Sequence, residues 1–462
     1  MTSSLTFRRS AMALAVLVLT GCSFIPTHER PAAPVAAVFP GQAANAPAGA
    51  ELVSWSGFVQ DARLRELIAL SLQNNRDLRV ATLNIEQVRA QYQIRRADQL
   101  PTLNLAASGN RQPTADGGMS STYTAGLAMA SWELDFFGRV ASLKDAALAQ
   151  FLASEEARRA AQTSLVAAVA STWLSLQADE ELLSLTQSTL ATREDSLRLT
   201  KLRFDNGANS ALDLRQAESL AAAARSTLAQ QQRAKSLDLN ALTLLVGQTL
   251  PAHLLPFGPG ATTQAQLSDV PEGLPSDLLN RRADIRQAEQ ALIAANANIG
   301  AARAAFFPRI SLTASVGTVS NQLSGLFESG SWGFSLAPQA LLPIFDAGRN
   351  QANLTVAKVS RDVAVAQYEK AIQTAFREVA DALAGRATLG EQLIAQQTQA
   401  TAEAERFRLA DLRYRNGVSS YLDVLDAQRS LFATQQALAQ TKLAQQQSQV
   451  ALYKALGGGW TE

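Results

Sequence analysis

The sequence predicts a mainly α chain with a small β part, built as two copies of one unit. Three observations carry that prediction. The block 202–217, LRFDNGANSALDLRQA, recurs as 412–427, LRYRNGVSSYLDVLDA, with eight of sixteen positions identical at an offset of 210. Two stretches of about 65 residues run without proline from a Gly-Arg pair, Gly138-Arg139 or Gly348-Arg349, to an Asn-Gly pair. Short alternating runs of strand length stand just before each stretch.

The amino terminus carries an address. Arg8 and Arg9 precede an apolar run, 11–19, too short to cross a bilayer as a helix, so 1–21 reads as an export signal. The run ends Leu19-Thr20-Gly21-Cys22, and Cys22 is the only cysteine of the chain. This ending is similar to a bacterial lipobox. That implies a diacylated (palmitate-bearing) Cys22 as the mature first residue, and Ser23 after it implies sorting to the outer membrane. The plainer reading is an ordinary signal with an incidental cysteine. Residues 22–60 form a lipidated tether, rich in Pro, Ala and Gly over 23–50.

The body divides into a first repeat, 61–270, and a second, 271–462. Each opens with an Ala-, Gln- and Arg-rich helix, 61–99 or 276–306, ended by Pro101 or Pro308. First strands come next at 102–110 and 309–320, alternating as Leu103, Leu105, Ala107 and as Ile310, Leu312, Ala314, Val316. Second strands lie near 123–135 and 331–345; the phase of 123–135 is ambiguous and its faces stay unassigned. The long helices then run to 205 and 415, roughly 100 Å each at 1.5 Å per residue. Val169, Leu176, Leu183, Leu190 and Leu197 recur every seven residues, a coiled-coil seam. Turns at Asn206-Gly207 and Asn416-Gly417 lead into return helices, 211–246 and 421–456, with 3-4 spacing of small and apolar residues.

Composition excludes several functions. Lys+Arg is 41 against 40 Asp+Glu, a net charge of +1, without the basic excess of a nucleic-acid binder. Aromatics are only 6%, so a membrane barrel is not the whole chain. Two distant histidines, His28 and His253, leave little for a metal site or a Ser-His-Asp triad. No P-loop or GxGxxG is present, which argues against direct ATP use, and the scarce histidines without a nucleophile constellation argue against an enzyme.

Four strands cannot close a membrane barrel, because the smallest has eight. An open edge in lipid would leave backbone groups unsatisfied at several kcal/mol each. If these strands enter a membrane, several chains share one barrel, and three chains give twelve strands and twelve helices. The alternative is a soluble coiled-coil protein with two hairpins.

The motifs Gly273-Leu274-Pro275-Ser276-Asp277-Leu278-Leu279, Arg281-Arg282-Ala283-Asp284-Ile285, Phe307-Pro308, Pro343-Ile344-Phe345-Asp346-Ala347-Gly348-Arg349 and Arg413-Tyr414-Arg415-Asn416-Gly417 occur in this order. Together with Tyr421-Leu422-Asp423-Val424-Leu425-Asp426-Ala427-Gln428 they resemble the TolC-like outer-membrane efflux proteins, in the NodT-type lipoprotein branch of RND multidrug systems. Ala283 stands where that branch usually has proline. The resemblance spans the mature chain. It implies a homotrimer with a twelve-strand outer-membrane β-barrel continued by a twelve-helix α-barrel across the periplasm. It implies passive conduction of drugs and small amphiphiles, with no cofactor and no metal. The implied partners are a second and third copy, a periplasmic membrane-fusion adaptor, an inner-membrane RND transporter and outer-membrane lipid. Exit channels of type I protein secretion or metal efflux, and a non-channel structural lipoprotein, are the alternatives.

Asp423 and Asp426, three residues apart, share one helix face. Taken alone they are solvated acids near a helix N-terminus, favoured by the dipole. The resemblance implies a closed periplasmic gate there, with Leu422 as apolar neighbour. Asp213 is the first-repeat equivalent of Asp423, and Gln216 replaces the second acid. Tyr414 and Asp213 match partners in the polar links that hold the family's closed state; Ser419 stands where some relatives have arginine. The turns, with Gly207, Asn209, Ser210 and Gly417, Ser419, Ser420, are implied to dock the adaptor, while the glycines alone are explained by turn geometry. Glu155-Glu156, Arg158-Arg159 and Glu180-Glu181 read as solvated helix faces, and His253 as an inert linker residue.

Overall fold

The computed structural model describes residues 23–40, 54–257, 267–270 and 281–458. The export signal, Cys22 and the Gly273-to-Leu279 motif lie outside the described residues. The chain divides into two compact units. One comprises the described residues of Met1–Ala33, Leu83–Glu156 and Asp284–Ala371. The other comprises those of Pro34–Thr82, Ala157–Ala283 and Ile372–Glu462.

The elements in order are α1 (Trp55–Phe58), α2 (Ala62–Asn74), α3 (Arg76–Ala97), β1 (Leu103–Pro113), β2 (Met119–Leu134), α4 (Arg139–Asp205) and α5 (Ala211–Val246). Then come α6 (Ala283–Ala304), β3 (Arg309–Ser320), β4 (Trp332–Leu341), α7 (Arg349–Arg415) and α8 (Tyr421–Ala455). The long and return helices match the expected spans to within a residue. The expected helix 61–99 is broken. Asn75 is extended, its side chain accepts from Leu78 N at 2.9 Å and donates to the Leu245 carbonyl at 2.9 Å, and that capping starts a new helix. The expected start of the second such helix, 276, lies outside the described residues; α6 begins at Ala283.

In the first unit, β1 to β4 form one antiparallel sheet in chain order, so the β2–β3 pair joins the two repeats. In register, Leu105, Leu127, Val316 and Phe334 make one row, and Ala106, Gly126, Gly317 and Gly333 the next. Alternation therefore gives an apolar face and a small, polar one. Leu105 and Phe334 are 85% and 77% exposed in the single chain. The ambiguous phase of 123–135 now has a cause. A bulge between Met129 and Trp132, with Ser131 at φ 46°, adds one residue and exchanges the faces. Odd residues before the bulge and even residues after it lie on the apolar side. β4 stops at Leu341 rather than 345, ahead of Pro343, which has no N–H to give a ladder.

Also in the first unit, the start of the tether is pinned. Phe24 stacks on Phe307 and Phe307 on Phe137, with centroids 4.7 and 4.9 Å apart, and Arg30 makes a two-pronged bond to Glu289 at 2.9 and 2.7 Å. Glu156 corrects the expectation of a solvated face: it is 6% exposed and pairs with Arg286 of α6.

In the second unit, Val169, Leu176 and Leu183 of the α4 seam are buried, while Leu190 and Leu197 are half-buried. Val169 and Leu176 are fully buried, and Trp173 beside them donates to the Leu254 carbonyl at 3.1 Å. On the return helices Ala217, Ala221 and Ala224 of α5, and Ala427, Thr434 and Leu438 of α8, are buried. Glu180 and Glu181 are tied to Lys235 and Lys442 at 2.6 and 3.0 Å. Among the described residues no helix is long and apolar enough to cross a membrane.

Candidate functional site

The two helical turns are built alike. Gly207 and Gly417 take φ of 73° and 74°, the left-handed conformation that ends a helix. Ala208 N donates to the Arg203 carbonyl at 2.8 Å, and Val418 N to the Arg413 carbonyl at 2.9 Å. Asn206 and Asn416 side chains each donate back to a leucine carbonyl, Leu202 and Leu412, at 2.7 and 2.8 Å. Gly207, Ser210, Gly417 and Ser420 are exposed, and Asn209 and Ser419 are half-buried.

The return helices start differently. In the first repeat Ser210 and Asp213 form a reciprocal capping box, in which the Asp213 carboxylate accepts from Ser210 N at 3.1 Å and from its hydroxyl at 2.8 Å. Ser420 caps α8 with no such side-chain bond. Asp423, at the place of Asp213, is exposed and has no hydrogen-bonded partner among the described residues. The duplication has thus left one aspartate committed to its own helix end and released the other.

Asp426 is not bare. Arg406 of α7 donates to one carboxylate oxygen at 2.6 Å and Arg429 of α8 to the other at 2.6 Å. The Arg406 bond holds the Asp426 carboxyl below the usual carboxylate range. Arg406 is shared with Glu403 at 3.2 Å and with the Ser430 hydroxyl at 3.4 Å. Arg406, Arg413, Ser419, Asp423 and Asp426 line one open groove, and the buried Ser419 hydroxyl has no partner there. Leu422 is 53% exposed at the groove's helix start. Sequence reading missed Arg406 and Arg429. Arg429 was visible as an i,i+3 partner of Asp426, and Arg406 stands as far before Asn416 as Asp426 stands after it.

Tyr414 and Asp213 are not brought together in the chain. Tyr414 takes a hydrogen bond from Arg203 at its hydroxyl, has the same guanidinium over its ring at 5.2 Å, and packs on Tyr421 with centroids 5.0 Å apart. Asp213 stays in its capping box. Arg203, the last-turn arginine of α4, is a third residue sequence reading did not single out.

The arrangement offers no nucleophile paired with a base. It offers acids of two kinds on one helix face, one neutralised by arginines and one free. A family model described as outer membrane efflux protein matches residues 67–248 and 274–458. The chain is 48% identical over 464 residues to the probable efflux pump outer membrane protein TtgC of Pseudomonas putida, covering 98% of this chain and 96% of that protein. It is 49% identical over 464 residues to outer membrane protein OprJ of Pseudomonas aeruginosa, covering 99% and 96%. The solved open state of the Neisseria gonorrhoeae MtrE outer membrane channel matches with a TM-score of 0.85 at 41% identity, covering 95% of this chain and 99% of that one.

Proposed function

The chain belongs to the outer membrane efflux protein family, and on that premise we propose that it is the outer-membrane exit duct of a tripartite RND-type multidrug efflux pump. The observation that carries this reading is the four-strand sheet. One of its faces is apolar and exposed, and β1 and β4 each keep an edge without a neighbouring strand among the described residues. Lipid tolerates the face but not the edges. Three copies joined β4 to β1 would satisfy every edge in a twelve-strand barrel. The duct is passive: an inner-membrane RND transporter supplies the energy and a periplasmic adaptor bridges the two. Cys22 anchors the chain by lipid to the outer membrane, and the helices extend into the periplasm. The exported compounds are drugs and small amphiphiles.

Within the duct, Asp423 and Asp426 with Leu422 form the periplasmic gate, Tyr414 and Asp213 stabilise its closed form, and the turns around Gly207 and Gly417 dock the adaptor. Threefold repetition gathers the Asp423 carboxylates into a ring that narrows the passage and favours cations. The released state of Asp423, beside the committed state of Asp213, supports this assignment. Asp423→Ala combined with Asp426→Ala raises single-channel conductance in planar bilayers; unchanged conductance removes the gate assignment. The pump reading is tested by drug and dye accumulation in a deletion strain with and without the wild-type chain. Restored exclusion supports it, whereas unchanged accumulation with a missing secreted protein turns it to protein secretion.

A further inference from the structure

Arg193 of α4 is a buried cation without an acid. It is 4% exposed, and no carboxylate pairs with it among the described residues. Its Nη1 donates to the Leu220 carbonyl of α5 at 3.0 Å. Its guanidinium lies 5.0 Å from the ring centre of Phe432 on α8, itself 8% exposed. Its Nε is buried with no hydrogen-bond partner. One side chain thus touches three helices: its own, the return helix of its own repeat, and the return helix that carries the candidate gate acids.

The second repeat shows what is peculiar here. At the offset of 210, Arg193 corresponds to Glu403, Leu220 to Ser430 and Phe432 to Ala222. In the second repeat Glu403 and Ser430 both serve Arg406, the arginine that holds Asp426. There the Arg406–Asp426 pair crosses from α7 to α8, as Arg225–Glu194 and Lys235–Glu180 cross from α5 to α4 in the first repeat. The first repeat has replaced the acid by a cation that reaches across to the other repeat's helix. Stability does not explain the choice, because apolar side chains of similar volume replace buried charges at little cost or with gain. The bond to the Leu220 carbonyl and the seat on the Phe432 ring fasten α5 and α8 to one side chain of α4.

We propose that Arg193, through Phe432, is the positioning residue that couples the α4–α5 hairpin to α8 and so sets the α8 gate acids in their closed placement. This rests on the gate reading above. Phe432 stands six residues after Asp426 on one continuous helix, so displacement at the ring is carried to the acids.

The test uses the full-length protein in planar bilayers, with thermal melting of the purified oligomer beside it. Arg193→Met keeps the volume and removes the charge. It should leave melting unchanged or raised and shift the open-to-closed ratio by about tenfold toward open, the scale of a desolvated cation–ring contact. Phe432→Leu should do the same, and the two combined should do no more than either alone. If Arg193→Met fails to assemble, Phe432→Leu decides. Wild-type gating in Phe432→Leu, or an additive double variant, overturns the coupling while a leaking Asp423→Ala with Asp426→Ala keeps the gate. A double aspartate variant that does not leak overturns the gate and the Arg193 assignment together.

Discussion

Arg406 donates to the Asp426 carboxylate at 2.6 Å across the α7–α8 hairpin, from the position that mirrors it about Asn416. One of the two candidate gate acids is thereby neutralised within its own chain, and Asp423 alone offers a free negative charge. Arg406→Gln should free one oxygen of Asp426 and raise cation selectivity, read as a larger reversal potential across a KCl gradient. The pair is solvent-exposed, so the change in open probability stays below about tenfold. An unchanged reversal potential would mean that Asp426 does not face the conduction path.

Asp179 of α4 gives a pH dependence of stability. Burial, reinforced by Asp238 of α5 and opposed by Lys235, raises its carboxyl to about 6. Nothing hydrogen-bonds its buried Oδ2 among the described residues. In the unfolded chain an aspartate titrates at ~3.9. Between those two values the folded state holds the extra proton, so stability falls as pH rises through this window. Asp179→Asn should therefore melt higher than wild type at pH above the window, with the difference closing as pH falls below it. A difference that is constant from acid to neutral pH would place the effect in packing rather than in charge.

Glu156 pairs with Arg286, and its side chain is 8% exposed against 38% for the arginine. Glu156→Gln leaves a half-buried cation with a weaker acceptor. The loss should be of order 2 kcal/mol, below the range for a fully buried pair, because Arg286 keeps some solvent. Thermal melting of the detergent-purified protein measures it. A glutamine variant as stable as wild type would return Glu156 to the solvated face that the local sequence suggests.

Glu156 also marks where legibility ends. Its neighbours Glu155, Arg158 and Arg159 give a charged local pattern, while Glu156 is internal and meets Arg286, 130 residues away. Long-range partners of that kind carry no local period. What repeats was legible: the heptad of Val169 and Leu176, the turn glycines and the order of the strands all obey short-range rules. The β2 phase was not, because a bulge at Ser131 cancels alternation halfway along the strand. Asp423 was found by spacing, but its contrast with Asp213 needed the side-chain geometry of Ser210, which both repeats possess as serine.

The seam between the repeats inside the sheet has no room for a side chain on its small face. A Cβ on Gly126 would lie 2.3 Å from the Val316 carbonyl oxygen and 2.6 Å from Gly317 Cα. Gly126→Ala must push β2 and β3 apart, costing about 1–3 kcal/mol by overpacking and disturbing closure of the proposed barrel. Gly333, in the same row, meets nothing within 4 Å. Gly333→Ala should assemble as wild type while Gly126→Ala yields less SDS-resistant oligomer. Equal yields would show that the seam yields without cost.

Gly207 and Gly417 separate geometry from docking. Both have positive φ, and a Cβ on either meets nothing within 4 Å. A side chain there therefore stresses the backbone but collides with nothing in its own chain; the left-handed conformation costs a non-glycine residue about 1–2 kcal/mol, less for asparagine, whose side chain bonds locally. Gly207→Asn with Gly417→Asn should keep both oligomer and efflux. Gly207→Trp with Gly417→Trp should keep the oligomer, because the added bulk points into open space, and abolish drug efflux, because that space is the proposed adaptor site. Melting and drug accumulation, measured on the same variants, give the answer. Tryptophan variants that lose the oligomer would make the turns structural, and tryptophan variants that still export would clear the adaptor from them.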